Sequence, residues 1–114
     1  LGTPSKKEIY EMNPNYVEYK FPIIKCFTWK QILKQYTNIN ELFIDLIKKL
    51  LTYSPIKRLT AYEALSHQYF DPLRENGSGD RGLDLVLFSF TDEERIACGN
   101  GLIERLIPSW FENK

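Results

Sequence analysis

The stretch that decides the fold runs from Leu50 to Phe70 and reads LLTYSPIKRLTAYEALSHQYF. Pro55 stops a helix that ends just before it, because proline lacks a backbone N–H and its ring clashes with the preceding turn. Thr60 then begins a second helix, since Thr60 and Glu63 form the Ser/Thr-x-x-Glu capping box. The stretch therefore predicts two helices joined by a tight connection that contains Arg58.

Arg58 stands among leucines in this connection, and we expect its guanidinium to be partly buried. Its five N–H donors require a planar acceptor, and the most natural one is a carboxylate in bidentate contact. An Arg58 that is simply exposed to solvent is the alternative.

Caps and apolar spacing predict further helices. Ser5-x-x-Glu8 opens a helix over 6–12, and Thr91-x-x-Glu94 opens one from Asp92 to about Ala97. Asn40 is the expected N-cap of the strongest helix, 41–53, whose apolar residues form one broad stripe. A short helix is expected over 29–34. The chain is thus predicted to be mainly α, with helices joined by long loops and little or no sheet.

Composition excludes several classes of function. The 114 residues fit one domain, and 15 basic against 15 acidic residues argue against a nucleic-acid binder. No apolar run reaches the ~20 residues of a membrane span. One histidine and two cysteines exclude metal sites built on several such ligands. We interpret His67 as a structural histidine, and Cys26 and Cys98 as reduced thiols of an intracellular protein.

Charge is distributed unevenly along the chain. Residues 20–58 hold eight basic and two acidic side chains, whereas residues 71–114 hold nine acidic and five basic ones. These are interpreted as solvated faces, with docking of an acidic partner as the alternative. Residues 77–82, GSGDRG, match a glycine-rich phosphate loop only by chance, because no strand precedes them. Residues 74–84 are predicted to form a flexible loop.

The 50–70 stretch resembles the end of the C-terminal lobe of eukaryotic protein kinases, where Pro-x-x-Arg precedes Ser/Thr-Ala-x-x-Ala-Leu-x-His-x-Tyr/Phe-Phe. In that family the arginine pairs with the glutamate of an Ala-Pro-Glu triplet in the substrate-binding segment. The resemblance therefore makes Arg58 a structural anchor. The chain contains no Ala-Pro-Glu and does not begin with methionine, so we expect the carboxylate to come from a longer parent polypeptide.

Other segments are similar to the CMGC group of kinases and, within it, to the glycogen synthase kinase-3 (shaggy-like) family. They are LGTP at 1–4, EMNPNY at 11–16, YKFP at 19–22, LFSFT at 87–91 and LIP at 106–108. The resemblance divides the chain into a CMGC-type insert with an aromatic loop (1–39), the last two helices of the large lobe (40–70) and a C-terminal extension (71–114). The glycine-rich loop at 76–82 and the Trp110-Phe111 pair depart from the family pattern.

The resemblance implies that the parent is a serine/threonine protein kinase, which transfers the γ-phosphoryl group of ATP with Mg²⁺ to protein hydroxyls. His-Arg-Asp, Asp-Phe-Gly and Val-Ala-Ile-Lys are all absent from the sequence. The chain is therefore expected to carry no catalytic, cofactor-binding or metal-binding residue and to be inactive alone. Its expected location is cytoplasmic, with the nucleus also open.

Two kinds of partner follow from the resemblance. One is the remainder of the kinase domain, against which Leu46, Leu50 and Leu65 are expected to pack. The other is an amphipathic helix of a scaffold or inhibitor protein, which would dock on an aromatic loop formed by Tyr16, Tyr19 and Phe21. Inward packing of those rings is the alternative. A rival from another class is a free-standing helical adaptor, which would need a core of its own.

Overall fold

The computed structural model of this chain describes residues 1–17, 20–75 and 86–112. Within these ranges the regular structure is entirely helical and no β-strand occurs. The predicted mainly α fold is confirmed. The chain divides into two compact units, Leu1–Leu59 and Thr60–Lys114, which we call unit 1 and unit 2. The glycine-rich segment at 76–82 and most of the predicted loop lie outside the described residues.

The described residues of unit 1 form three helices: α1 (Lys6–Met12), α2 (Trp29–Ile32) and α3 (Glu41–Leu50). The bounds of α1 are those predicted, because Ser5 and Glu8 form the reciprocal capping box that the sequence indicates. A second capping box, between Thr28 and Gln31, begins α2. The Asn40 side chain caps α3 by accepting a hydrogen bond from the Leu42 N–H at 2.8 Å.

Helix α3 ends three residues earlier than the apolar pattern predicts. The Thr52 hydroxyl donates to the carbonyl oxygens of Lys48 at 2.9 Å and Lys49 at 3.3 Å. These contacts satisfy carbonyl groups that a longer helix would have used. Leu46 is only 5% exposed within this chain, so the prediction that it faces an external helix is wrong; Leu50 is half-buried.

The described residues of unit 2 include the helices α4 (Ala61–Leu65), a 3₁₀ helix (Gln68–Arg74), α5 (Asp92–Cys98), α6 (Asn100–Leu106) and α7 (Ser109–Glu112). Residues 86–88 are also helical. The prediction extended α4 to Tyr69. It ends sooner because the His67 ring begins the 3₁₀ helix, where Nδ1 accepts from the Tyr69 N–H at 3.0 Å.

The core of unit 2 lies beneath its C-terminal helices. Phe88, Leu106 and Ile107 are each 3% exposed, and Cys98 is also buried. The Phe88 ring meets the Trp110 ring edge-on at a centroid distance of 5.7 Å. The centroid of the Phe111 ring lies 5.4 Å from the centroid of the Phe88 ring. Trp110 and Phe111 thus close this core.

Apolar side chains in unit 1 are mostly exposed. Ile9 and Leu46 are buried, whereas Val17 and Ile23 are 79% and 97% exposed. Among the helices of the described ranges, none is long and apolar enough to traverse a bilayer.

A buried leucine of α3 and an exposed leucine just after it test whether the buried side chain stabilises unit 1. Leu46→Ala should lower the free energy of unfolding by about 2–5 kcal/mol, because it leaves a cavity at a buried site. Leu51→Ala is the matched control and should cost less than about 1 kcal/mol, because Leu51 is 49% exposed. Urea unfolding followed by helical circular dichroism measures both, and equal losses would contradict the assignment.

Candidate functional site

Two of the three aromatic residues predicted to form the docking surface lie together. The rings of Tyr16 and Phe21 are stacked, with centroids 6.1 Å apart and planes 21° from parallel. They are 40% and 47% exposed, so they do not pack inward in this chain. We call them the aromatic pair. Tyr19, the third predicted residue, lies outside the described residues.

A turn after α1 positions Tyr16. The Asn13 N–H continues the helical bonding to the Ile9 carbonyl, and the Asn13 side-chain oxygen then accepts from the Asn15 N–H at 3.1 Å. The Tyr16 N–H donates to the Asn13 carbonyl at 3.1 Å. This Asx-type turn reverses the chain and fixes where the Tyr16 side chain leaves the backbone.

Thr3 fixes the segment that carries Phe21. Its hydroxyl donates to the Pro22 carbonyl and accepts from the Ile24 N–H, both at 2.6 Å. The Thr3 N–H also donates to the Ile24 carbonyl at 3.0 Å. One residue near the N-terminus therefore makes three hydrogen bonds to a segment about twenty positions away.

Gly2 allows the N-terminal residues to approach this segment. Its φ is +77°, and a Cβ at this position would lie 2.9 Å from the Cys26 nitrogen and 3.0 Å from the Ile24 oxygen. Only glycine adopts such a conformation without strain and leaves that space free. The Tyr53 hydroxyl donates to the Gly2 carbonyl at 2.6 Å. Gly2 and Tyr53 thus link the segment around Ile24 and Cys26 to the chain that follows α3.

Arg58, the predicted structural anchor, binds backbone oxygens instead of a carboxylate. Its Nε donates to the Thr52 carbonyl at 2.9 Å, and its Nη2 donates to the Tyr53 carbonyl at 3.1 Å. No acidic side chain of the described ranges pairs with it. The expectation of partial burial is wrong, because Arg58 is exposed. Carbonyl groups beyond a helix C-terminus attract a cation, which accounts for this arrangement.

A polar cluster in unit 2 was not predicted. Asp71 Oδ1 accepts from Arg74 Nη2 at 3.0 Å and from Arg105 Nη2 at 3.1 Å. Arg105 Nε donates to the Ser66 carbonyl at 2.7 Å, and the Trp110 indole N–H donates to the Arg74 carbonyl at 2.7 Å. These contacts fasten α6 and α7 to the 3₁₀ helix. No sequence motif indicates them, since Arg105 stands 34 positions from Asp71.

The predicted site residues do not form a single site. The aromatic pair forms one surface of unit 1, and Arg58 stands after α3 with its own backbone partners. His67 caps a helix through its ring, a structural role. Among the residues that the structure describes, no three His, Cys, Asp or Glu side chains are grouped to hold a metal ion. A comparison with models of protein families matches none to this chain.

Gly2 was overlooked as a structural residue, and its substitution measures its importance. Gly2→Ala should shift the backbone amide signals of Ile24 and Cys26 in an NMR spectrum and lower stability by about 1–3 kcal/mol, because the new Cβ meets backbone atoms at positive φ.

Gly101→Ala is the matched control, since a Cβ there meets nothing within 4 Å. It should leave stability unchanged or raise it by up to ~1 kcal/mol, because alanine favours a helix over glycine. Unshifted Ile24 and Cys26 signals in the Gly2 variant would disprove the close approach.

Proposed function

We propose that the chain is a non-catalytic segment from the C-terminal lobe of a serine/threonine protein kinase of the glycogen synthase kinase-3 (shaggy-like) family. It stabilises the lobe and the substrate-binding segment and carries part of a scaffold-docking surface. The observation that carries the proposal is the state of Arg58, whose guanidinium is held at the end of the Pro-x-x-Arg motif without a carboxylate partner among the described residues.

The hydrogen bonds of Arg58 support an anchoring role. Nε and Nη2 are oriented by the Thr52 and Tyr53 carbonyl groups, so the guanidinium has a defined direction in an exposed position. A guanidinium has five donors, and those that remain can bind a carboxylate from another part of the parent domain. Because the group is already oriented, forming that ion pair costs less side-chain entropy.

Exposed apolar side chains support packing against the remainder of the domain. In unit 1, Leu51 precedes the Pro-x-x-Arg motif and is 49% exposed, and Ile56 lies within the motif and is 80% exposed. In unit 2, Leu65 is 46% exposed at the edge of an apolar cavity of about 130 Å³. Side chains of this kind are suited to burial against a neighbouring part of a larger domain.

The aromatic pair supports docking of a partner. Stacked, half-exposed rings on a braced turn offer rigid apolar area at low entropic cost, which is typical of interface hot spots. An amphipathic helix of a scaffold or inhibitor protein could lay its apolar face on such rings. Phosphoryl transfer, with its ATP and Mg²⁺, belongs in this proposal to the parent kinase, because the sequence lacks every motif for it.

A free-standing helical adaptor is the second candidate. The cluster of Phe88, Trp110 and Phe111 favours it, since unit 2 thereby has a small core of its own. Cooperative, monomeric unfolding of the 114-residue chain would support the adaptor. An Ala-Pro-Glu triplet some tens of residues upstream in the parent sequence would support the kinase.

The anchoring role predicts a large loss of stability in the intact kinase. Arg58→Ala should lower its free energy of unfolding by about 3–5 kcal/mol, because a carboxylate of the substrate-binding segment would lose its partner in a buried ion pair. Lys57→Ala is the control and should change stability by less than about 0.5 kcal/mol, because Lys57 is exposed. Unchanged melting temperature and activity in the Arg58 variant would refute the anchor.

The docking role predicts a local effect of removing the rings. Tyr16→Ala combined with Phe21→Ala should weaken binding of an amphipathic helical peptide of about 18 residues by tenfold or more, because each hot-spot ring contributes about 1–2 kcal/mol or more. Tyr10→Ala combined with Tyr36→Ala removes two other exposed rings and should leave binding unchanged. Fluorescence anisotropy measures both; equal loss in the two variants would argue against a specific site.

A further inference from the structure

Residues 20–28 belong to neither a helix nor an assigned strand, and over residues 22–26 alternate residues turn their backbone groups to the same side. The Pro22 carbonyl and both backbone groups of Ile24 bond to Thr3, and the Cys26 nitrogen lies against Gly2. Backbone groups at positions i, i+2 and i+4 share one edge only in an extended chain. The even-numbered residues of this segment therefore form a closed edge.

The odd-numbered residues form the opposite edge, which is open. The N–H and C=O groups of Ile23 and Lys25 have no hydrogen-bond partner in the described part of the chain. Ile23 is 97% exposed, and Lys25 is exposed as well. A row of unpaired backbone donors and acceptors on an extended chain is a template for another strand.

Contacts on the closed edge hold the segment in place, and the open edge has all of its backbone N–H donors. The 2.6 Å bonds of Thr3 and the tight approach of Gly2 hold the segment from behind, so little conformational freedom remains to be lost on binding. Pro22 lacks an N–H, but it lies on the closed edge, where only its carbonyl is used. No donor is therefore missing where a partner strand would approach.

Charge indicates the chemistry of the occupant. Lys25 shares a face of the extended chain with Ile23, is exposed, and makes no ion pair with the described residues. Residues 1–59, which form unit 1, hold ten Lys and Arg but only five Asp and Glu. A second copy of the same strand would bring another Lys25 and the same basic unit to the seam, and like charges across strands are destabilising. An acidic strand would instead pair with Lys25.

We propose that the open edge at Ile23 and Lys25 is a docking site for an extended acidic segment of a partner protein. The segment adds as a strand: its backbone pairs with Ile23 and Lys25, and its carboxylates lie on the face of the new strand pair that carries the Lys25 side chain. The proposal stands apart from the kinase assignment, because it rests on backbone groups of unit 1. It uses backbone groups, whereas the aromatic pair, which includes Phe21 of the same segment, would bind a helix through side chains.

Synthetic peptides test the mode of binding on the 114-residue chain. A fluorescein-labelled peptide of alternating Glu and Val should bind in anisotropy titrations and slow amide hydrogen exchange at Ile23 and Lys25. The same peptide N-methylated at every second residue should bind at least about tenfold more weakly, because it has lost strand donors. Equal binding of the methylated peptide, or of a Lys-Val counterpart, would overturn the proposal.

Charge variants test the location. Lys25→Glu should weaken binding of the Glu-Val peptide at least about fivefold. The control, Lys34→Glu, makes the same change in net charge outside the segment and should have a smaller effect. Circular dichroism checks that both variants keep their helices. Equal effects, or a concentration-dependent dimer that protects Ile23 without peptide, would overturn the proposal.

Discussion

The arrangement of unit 1 depends on the hydroxyl group of Thr3. A single oxygen donates to the Pro22 carbonyl and accepts from the Ile24 N–H, and so links residues that stand 19 and 21 positions away. Gly2 allows this approach, and the Tyr53 hydroxyl holds the Gly2 carbonyl in turn. Because unit 1 buries few apolar side chains, these polar contacts position both the aromatic pair and the extended segment.

The C-terminal end of α3 is set by hydrogen bonds to backbone carbonyl groups, because apolar side-chain spacing alone does not define where the helix stops. Apolar spacing continues past Leu50, yet Thr52 and Arg58 take up the carbonyl oxygens around the turn. Within the described residues, Arg58 therefore bonds to two backbone acceptors, the carbonyl groups of Thr52 and Tyr53. Its exposure and its fixed direction have one cause, the cluster of carbonyl groups that a terminating helix presents.

Helix-capping motifs, which act over only a few residues, predict the starts of helices correctly. The cap at Ser5, the cap at Asn40 and the box at Thr91 each begin a helix where predicted, because a cap bonds to a backbone N–H only two or three positions away. Distant contacts left no such signal. The approach of Gly2 to Cys26 and the bridge from Arg105 to Asp71 depend on tertiary geometry, so periodicity and spacing could not indicate them.

Of the candidate site, the sequence indicated Tyr16, Phe21 and Arg58 but not the contacts that hold them.

The two units, which meet at Leu59 and Thr60, differ in the sign of their net charge. Residues 60–114 contain five basic and ten acidic side chains, the reverse of residues 1–59. The isoelectric point of the whole chain is therefore near neutrality because a basic unit and an acidic unit cancel each other's charge. Proteolysis at that junction would yield one fragment for a cation exchanger and another for an anion exchanger.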